Sequence, residues 1–257
     1  MHHKILTPGL LVLALALAGA GASAQTAAPA SAPAAAAVDP ATVQRLKDMG
    51  AHLQSLQRFR VTNDLTGERV LADGQKLQHM ASAAMDVQRP NRLRVKMSSA
   101  RSQRELFYDG KQVTLFTPAQ KYYATVPFGG SLGDLADAMQ AKYGVELPLA
   151  DLFLLGTPAA PLDKLDSAMN AGQDFVGDDL CDHYAIRQGS FDWQIWITVG
   201  NKPLPRKLVI TNRGDEARPQ SVSVIDWDLK PTLASTAFTF KPPQGAKAID
   251  IVPRKTQ

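Results

Sequence analysis

The 257-residue chain carries 28 Lys and Arg against 24 Asp and Glu, has a pI near 9.2 and contains a single cysteine. One cysteine excludes an internal disulfide and a paired-cysteine metal site, so stability must come from an apolar core. The chain is long enough for one substantial domain, which at this size buries roughly 70% of its unfolded surface.

His2, His3 and Lys4 precede an apolar run from Leu11 to Ala18, and the small-residue site Ala22-Ser23-Ala24 follows before Gln25. This is the pattern of a secretion signal over residues 1–24, and the run is too short to span a bilayer. No cysteine follows the cleavage site, so a lipid-anchored form is not supported. Residues 25–38 are almost all Ala, Pro, Ser and Thr. They read as a disordered tether, because such a segment has too little apolar bulk to offset its ordering entropy. Residues 39–257 read as a single domain.

Asp39-Pro40 opens a helix with a capping carboxylate and a proline at the first position. Val43, Leu46, Met49, Leu53 and Leu56 give it one apolar stripe, with Gly50 weakening it midway. From Phe59 the period becomes alternating, with Asp73-Gly74 as the turn between two long strands. Arg92 to Ser98 alternates cleanly, with Leu93, Val95 and Met97 on one face and Arg92, Arg94 and Lys96 on the other. Arg89, Arg92, Arg94, Lys96, Arg101 and Arg104 fall in a stretch free of acids, so Arg92, Arg94 and Lys96 are expected to form a basic surface. It suits anionic headgroups or an envelope protein, while export disfavours nucleic acid.

Leu106 to Val126 holds three strand-like runs punctuated by Asp109-Gly110 and Thr117-Pro118, a meander expected at the middle of one large sheet with both faces covered. Ser131 and Asp134 form a capping box for a second helix with Leu132, Leu135, Ala136 and Met139 on its apolar side, and Gly144 ends it. Leu147 to Leu155 is a short helical insert with one charge, Asp151. An element apolar around most of its circumference must be surrounded, as it would be in the hollow of a curved sheet. A weak helical turn is expected through Leu165 and Met169. Strands are then expected over Phe175–Gln188, Phe191–Val199, Arg206–Asn212, Gln220–Trp227 and Phe238–Phe240.

The common catalytic patterns are absent: no Gly-x-Ser-x-Gly, no His-Glu-x-x-His, no phosphate-cradling glycine loop. Cys181-Asp182-His183 is the one cluster that invites a mechanism, but no third ligand or orienting group is near it in sequence. The reading is therefore non-enzymatic, without metal or cofactor. Phe107, Leu115, Tyr123, Leu132, Met139, Leu152, Phe153, Trp193 and Trp196 are the candidates to line one apolar cavity between sheet and insert.

Asp192-Trp193-Gln194-Ile195-Trp196-Ile197, Pro203-Leu204-Pro205-Arg206-Lys207, Arg89-Pro90-Asn91-Arg92-Leu93, Phe107-Tyr108-Asp109-Gly110 and Lys121-Tyr122-Tyr123-Ala124 resemble, in this set, a family of predicted periplasmic bacterial proteins. Lys142-Tyr143-Gly144 and Thr239-Phe240-Lys241-Pro242-Pro243 extend the match from about Asp39 to the end. That family resembles a branch of the LolA/LolB lipoprotein-carrier superfamily, which includes RseB-like regulators. The resemblance implies an α+β fold, an open antiparallel half-barrel of about ten or eleven strands around a few helices, with a hollow for acyl chains. It implies a periplasmic carrier or sensor of a lipid or lipoprotein acyl chain, or alternatively an RseB-like module that binds an envelope partner. A hydrolase is the remote alternative.

Overall fold

The computed structural model describes residues 37–145, 147–150, 154, 162 and 164–253. The expected signal and all but the last two residues of the expected tether lie outside them, as do Leu152 and Phe153. Residues 35–257 form one compact unit.

The chain begins with α1 (Pro40–Ser55), where Asp39 accepts hydrogen bonds from the Ala41 and Thr42 amides at 3.0 and 3.1 Å. These bonds satisfy orphan amides of the first turn, and the Thr42 hydroxyl, donating at 2.7 Å, together with them holds the Asp39 carboxyl below its ordinary range. Strands β1 (Arg58–Val70), β2 (Lys76–Gln88), β3 (Arg92–Ser99), β4 (Gln103–Tyr108), β5 (Gln112–Thr117) and β6 (Tyr122–Pro127) follow, then α2 (Leu132–Tyr143). The capping box forms as the sequence predicts, and Gly144 ends α2 at φ 63, a left-handed conformation that glycine adopts without strain. The second half is β7 (Ser167–Val176), β8 (Asp179–Gln188), β9 (Phe191–Thr198), β10 (Pro205–Asn212), β11 (Gln220–Asp228) and the short β12 (Lys247–Ala248).

Among the described residues, these strands join one open sheet of 12 in the order β12-β6-β5-β4-β3-β2-β1-β11-β10-β9-β8-β7. Every pairing is antiparallel except that of β12 with β6. The α+β class and the open antiparallel sheet are as expected. The meander is not at the middle: β1 pairs with β11, so the two halves of the chain meet there and β4–β6 lie toward one end.

Four other local expectations are corrected. Phe175–Gln188 is not one strand, because Gly177 at φ 60 turns the chain between β7 and β8 in a two-residue loop. Leu165 and Met169 do not make a helical turn: Met169 lies within β7, where pairing to β8 overrides a weak local pattern. Phe238–Phe240 is not a strand either. Ser235–Phe238 is a 3-10 turn, and Pro242 and Pro243 beyond it lack the amides that a ladder needs. Ala37 and Val38, expected in the tether, instead meet β7 through a bridge of Val38 to Ala168.

One face of the sheet, called inner here, carries α1 and α2. Leu46, Met49 and Leu53 of α1 pack on Ala168, Tyr184, Ile186, Ile195 and Ile197. Leu132, Leu135, Ala136 and Met139 of α2 pack with Val87, Leu93, Val95, Leu106, Tyr108 and Val113. Leu135 is fully buried in the second cluster. Leu135→Ala is therefore expected to cost about 2–5 kcal/mol in urea unfolding, whereas Met80→Ala, at a side chain 75% exposed, should stay within about 0.5 kcal/mol.

Candidate functional site

Side chains alternate across a strand, so each expected cavity residue is assigned a face by its register. Leu132, Met139 and Leu115 lie in or against the α2 cluster, and Trp193 packs against the α1 cluster. These four share the inner face. Phe107, Tyr123 and Trp196 do not, which corrects the single nine-residue cavity. Phe107 follows the inward Leu106, and Trp196 sits between the inward Ile195 and Ile197. A one-residue step puts a strand side chain on the opposite face.

The inner surface is covered in two portions. Among the described residues, Leu56, Leu149 and Trp227 pack against both clusters and join them. Leu149 belongs to the turn Leu147–Ala150 and has φ 53, a left-handed backbone that is unfavourable for leucine. The beginning of the expected apolar insert is thus wedged where the helix-covered portions meet. Phe59 packs on Trp227 in a tilted pair, ring centres 5.5 Å apart, to complete that seam.

The outer face has its own cover over the meander. Phe240 lies 5.3 Å from Phe107, 5.2 Å from Phe116 and 5.1 Å from Tyr123, ring centre to ring centre. Both faces of the meander are therefore covered, as its sequence implies, and the outer lid is the C-terminal segment. Beside Phe240 a groove of about 500 Å³ is lined by Arg94, Glu105, Phe107, Phe116 and Lys241.

The basic row on β3 is less bare than its own sequence implies. Arg94 donates to Glu105 at 2.9 Å and lies 5.0 Å above the Phe107 ring. Lys96 stands opposite Glu105 in register, and Asp86, opposite Arg94, holds Arg60 at 2.6 Å. The acids come from β2 and β4, which no inspection of β3 alone would find. Such partly exposed pairs each contribute about 0–1 kcal/mol.

At the other end of the outer face, Trp196 packs with Val176, Cys181 and Val209. His183 stacks on Trp196 at 4.0 Å, and the Lys207 ammonium lies 4.5 Å from the indole on which it rests. Cys181 and His183 share this face, but the thiol is buried, and burial pushes its pKa up to about 11. A thiol held in that form is a poor nucleophile. Among the described residues, no group of three His, Cys, Asp or Glu is arranged to hold a metal ion.

Asn63, Leu149 and Phe240 are the functional candidates that sequence reasoning passed over. Asn63 had a readable signal: it is a polar residue at a core-facing position, between Val61 and Leu65 in an alternating strand.

A family described as "Predicted periplasmic protein (DUF2092)" matches residues 42–252. No curated protein matches the sequence. Among solved structures, the chain is similar to lipoprotein LppX of Mycobacterium tuberculosis, with 11% identity and a TM-score of 0.49 over 76% of this chain and 98% of that one. It is similar to LprF of Mycobacterium bovis, with 12% identity and a TM-score of 0.45 over 82% and 100% of the two chains. A LolA superfamily protein from Nitrosomonas europaea matches with 11% identity and a TM-score of 0.36 over 77% and 97%.

Two measurements check the outer face. Aromatic pairs contribute about 0.5–1.5 kcal/mol each, so Phe240→Ala is expected to cost about 2–4 kcal/mol and to expose residues 235–248 to protease; unchanged protection there would refute the lid. Cys181 should resist an aromatic disulfide reagent at about pH 8 in the native protein and react on unfolding. Fast native labelling would contradict its burial.

Proposed function

The chain belongs to this family of predicted periplasmic proteins, and from that premise we propose that it is a non-enzymatic carrier or sensor that holds the acyl chains of a lipid or lipoprotein against the inner face of its sheet. The observation that carries the reading is the divided inner surface: two apolar clusters under separate helices, joined at Leu56, Leu149 and Trp227, with the turn Leu147–Ala150 between them. A wedge with a strained backbone is easier to displace than a helix locked by its stripe. Its displacement would open apolar surface along the seam without dismantling either cluster.

The energetics suit a protein that releases its cargo. Burying roughly sixteen methylenes at about 0.8 kcal/mol each yields on the order of 12 kcal/mol. Association costs about 4–15 kcal/mol, so the net affinity is modest. Arg92 and Lys96 lie on the outer face of β3, away from the cargo, and are placed to meet an anionic membrane surface, more weakly than an unpaired patch would.

Native mass spectrometry of the protein taken from an envelope extract tests the proposal. Co-purified lipid, or stoichiometric uptake of a fatty acyl probe after delipidation, is expected. A protein that carries none and takes up none would not be a lipid carrier or sensor. Capture of one inner-membrane protein, released when lipid is added, would identify the sensing role over transport.

A further inference from the structure

Among the described residues, the buried polar side chains are Thr42, Asn63, Thr114 and Ser223. Thr42 donates to the Asp39 carboxylate at 2.7 Å, and Thr114 shares a 2.9 Å hydrogen bond with Thr125. Asn63 differs. It is 3% exposed, and its Oδ1 is buried without a hydrogen-bond partner.

Its place in the sheet makes the orphan informative. Asn63 stands on β1 opposite Ala83 of β2 and Ile225 of β11, and Ile225 belongs to the inner cluster, so the carboxamide is on the inner face. Leu65, the next inward residue of β1, faces Ser223 across the strand pair and Ala81 on the other side. The central strands therefore bear a small polar spot flanked by alanines, between the portion under α2 and the portion under α1. Leucine or valine would fill such a position without any unsatisfied group. A buried carbonyl lacking a donor is costly, and a hydrocarbon chain cannot relieve it.

We propose that Asn63 determines specificity on the inner face: the cargo is an amphiphile whose chain carries a hydrogen-bond donor, a hydroxyl or an amide N–H, that bonds to Asn63 Oδ1. This rests on the reading that acyl chains lie against that face, and adds which chains are preferred. A site built to bond a buried substrate hydroxyl discriminates against the analogue lacking it more strongly than an apolar pocket discriminates by shape.

The test uses the full mature protein, delipidated, with tetradecanoate as reference and two series, hydroxytetradecanoates and oxotetradecanoates, with the substituent stepped along the chain. Isothermal titration calorimetry is expected to find at least one hydroxylated isomer binding about tenfold tighter than tetradecanoate, with no oxo isomer matching it. An N-acylated glycine of matched length reports whether an amide N–H serves as well as a hydroxyl. Asn63→Leu should bind tetradecanoate at least as well as the wild type and reduce the hydroxyl preference to within about twofold. Its melting temperature, expected to be unchanged or higher, shows that the variant folds. Equal binding of every isomer, a preference for the oxo series, or a hydroxyl preference that survives in Asn63→Leu would overturn the role of Asn63 while leaving the acyl site intact. Failure of all probes to bind the wild type would instead remove the acyl site itself.

Discussion

A β-strand sends alternate side chains to opposite faces, and this period of two governs the whole molecule. A single sheet of 12 strands has two faces, and each apolar stretch of either face must be covered or accept exposure. The inner face is covered by α1 over β7–β9 and by α2 over β2–β5. The outer face is apolar in two patches, one lidded by Phe240 and one closed on itself around Trp196 and Cys181. Elsewhere it is a lattice of cross-strand charges, including Arg60–Asp86 and Arg94–Glu105.

Placing the helices on separate ends of the inner face has a mechanical consequence. Each helix is anchored by its own stripe and its own cap, so neither depends on the other for its packing. The seam between them is held by side chains that remain half-buried, and one of these, Leu149, has a backbone conformation that leucine adopts at a cost. The seam is thus the part of the inner cover that neither helix stripe fixes.

The central strands also hold the polar residues least suited to an apolar floor. Asn63 and Ser223 sit on adjacent strands, near the junction of the chain's two halves. A sheet built only for stability would place aliphatic residues there, as it does at Val61, Met85 and Ile225. An orphaned acceptor among such aliphatic neighbours is a local departure from good packing, of the kind that gathers where proteins bind their ligands.

Much was legible in the chain because it depends on few neighbours. Asp39 and Ser131 cap their helices, Gly144 ends α2, Asp73-Gly74 turns β1 into β2, and the alternation of Arg92–Ser99 assigns its faces; all are set within a turn or a strand, where sequence spacing and spatial proximity coincide. The tertiary structure alone decided that β1 pairs with β11, about 160 residues away in the chain, and so put the meander toward one end. It decided that Glu105 of β4 pairs with Arg94 in the basic row of β3, and that Phe240 crosses the outer face to lid Phe107, Phe116 and Tyr123. Such contacts obey no spacing rule, since they follow from burying the most apolar area across the whole chain at once; the opposite faces of Trp193 and Trp196, by contrast, follow from strand alternation alone.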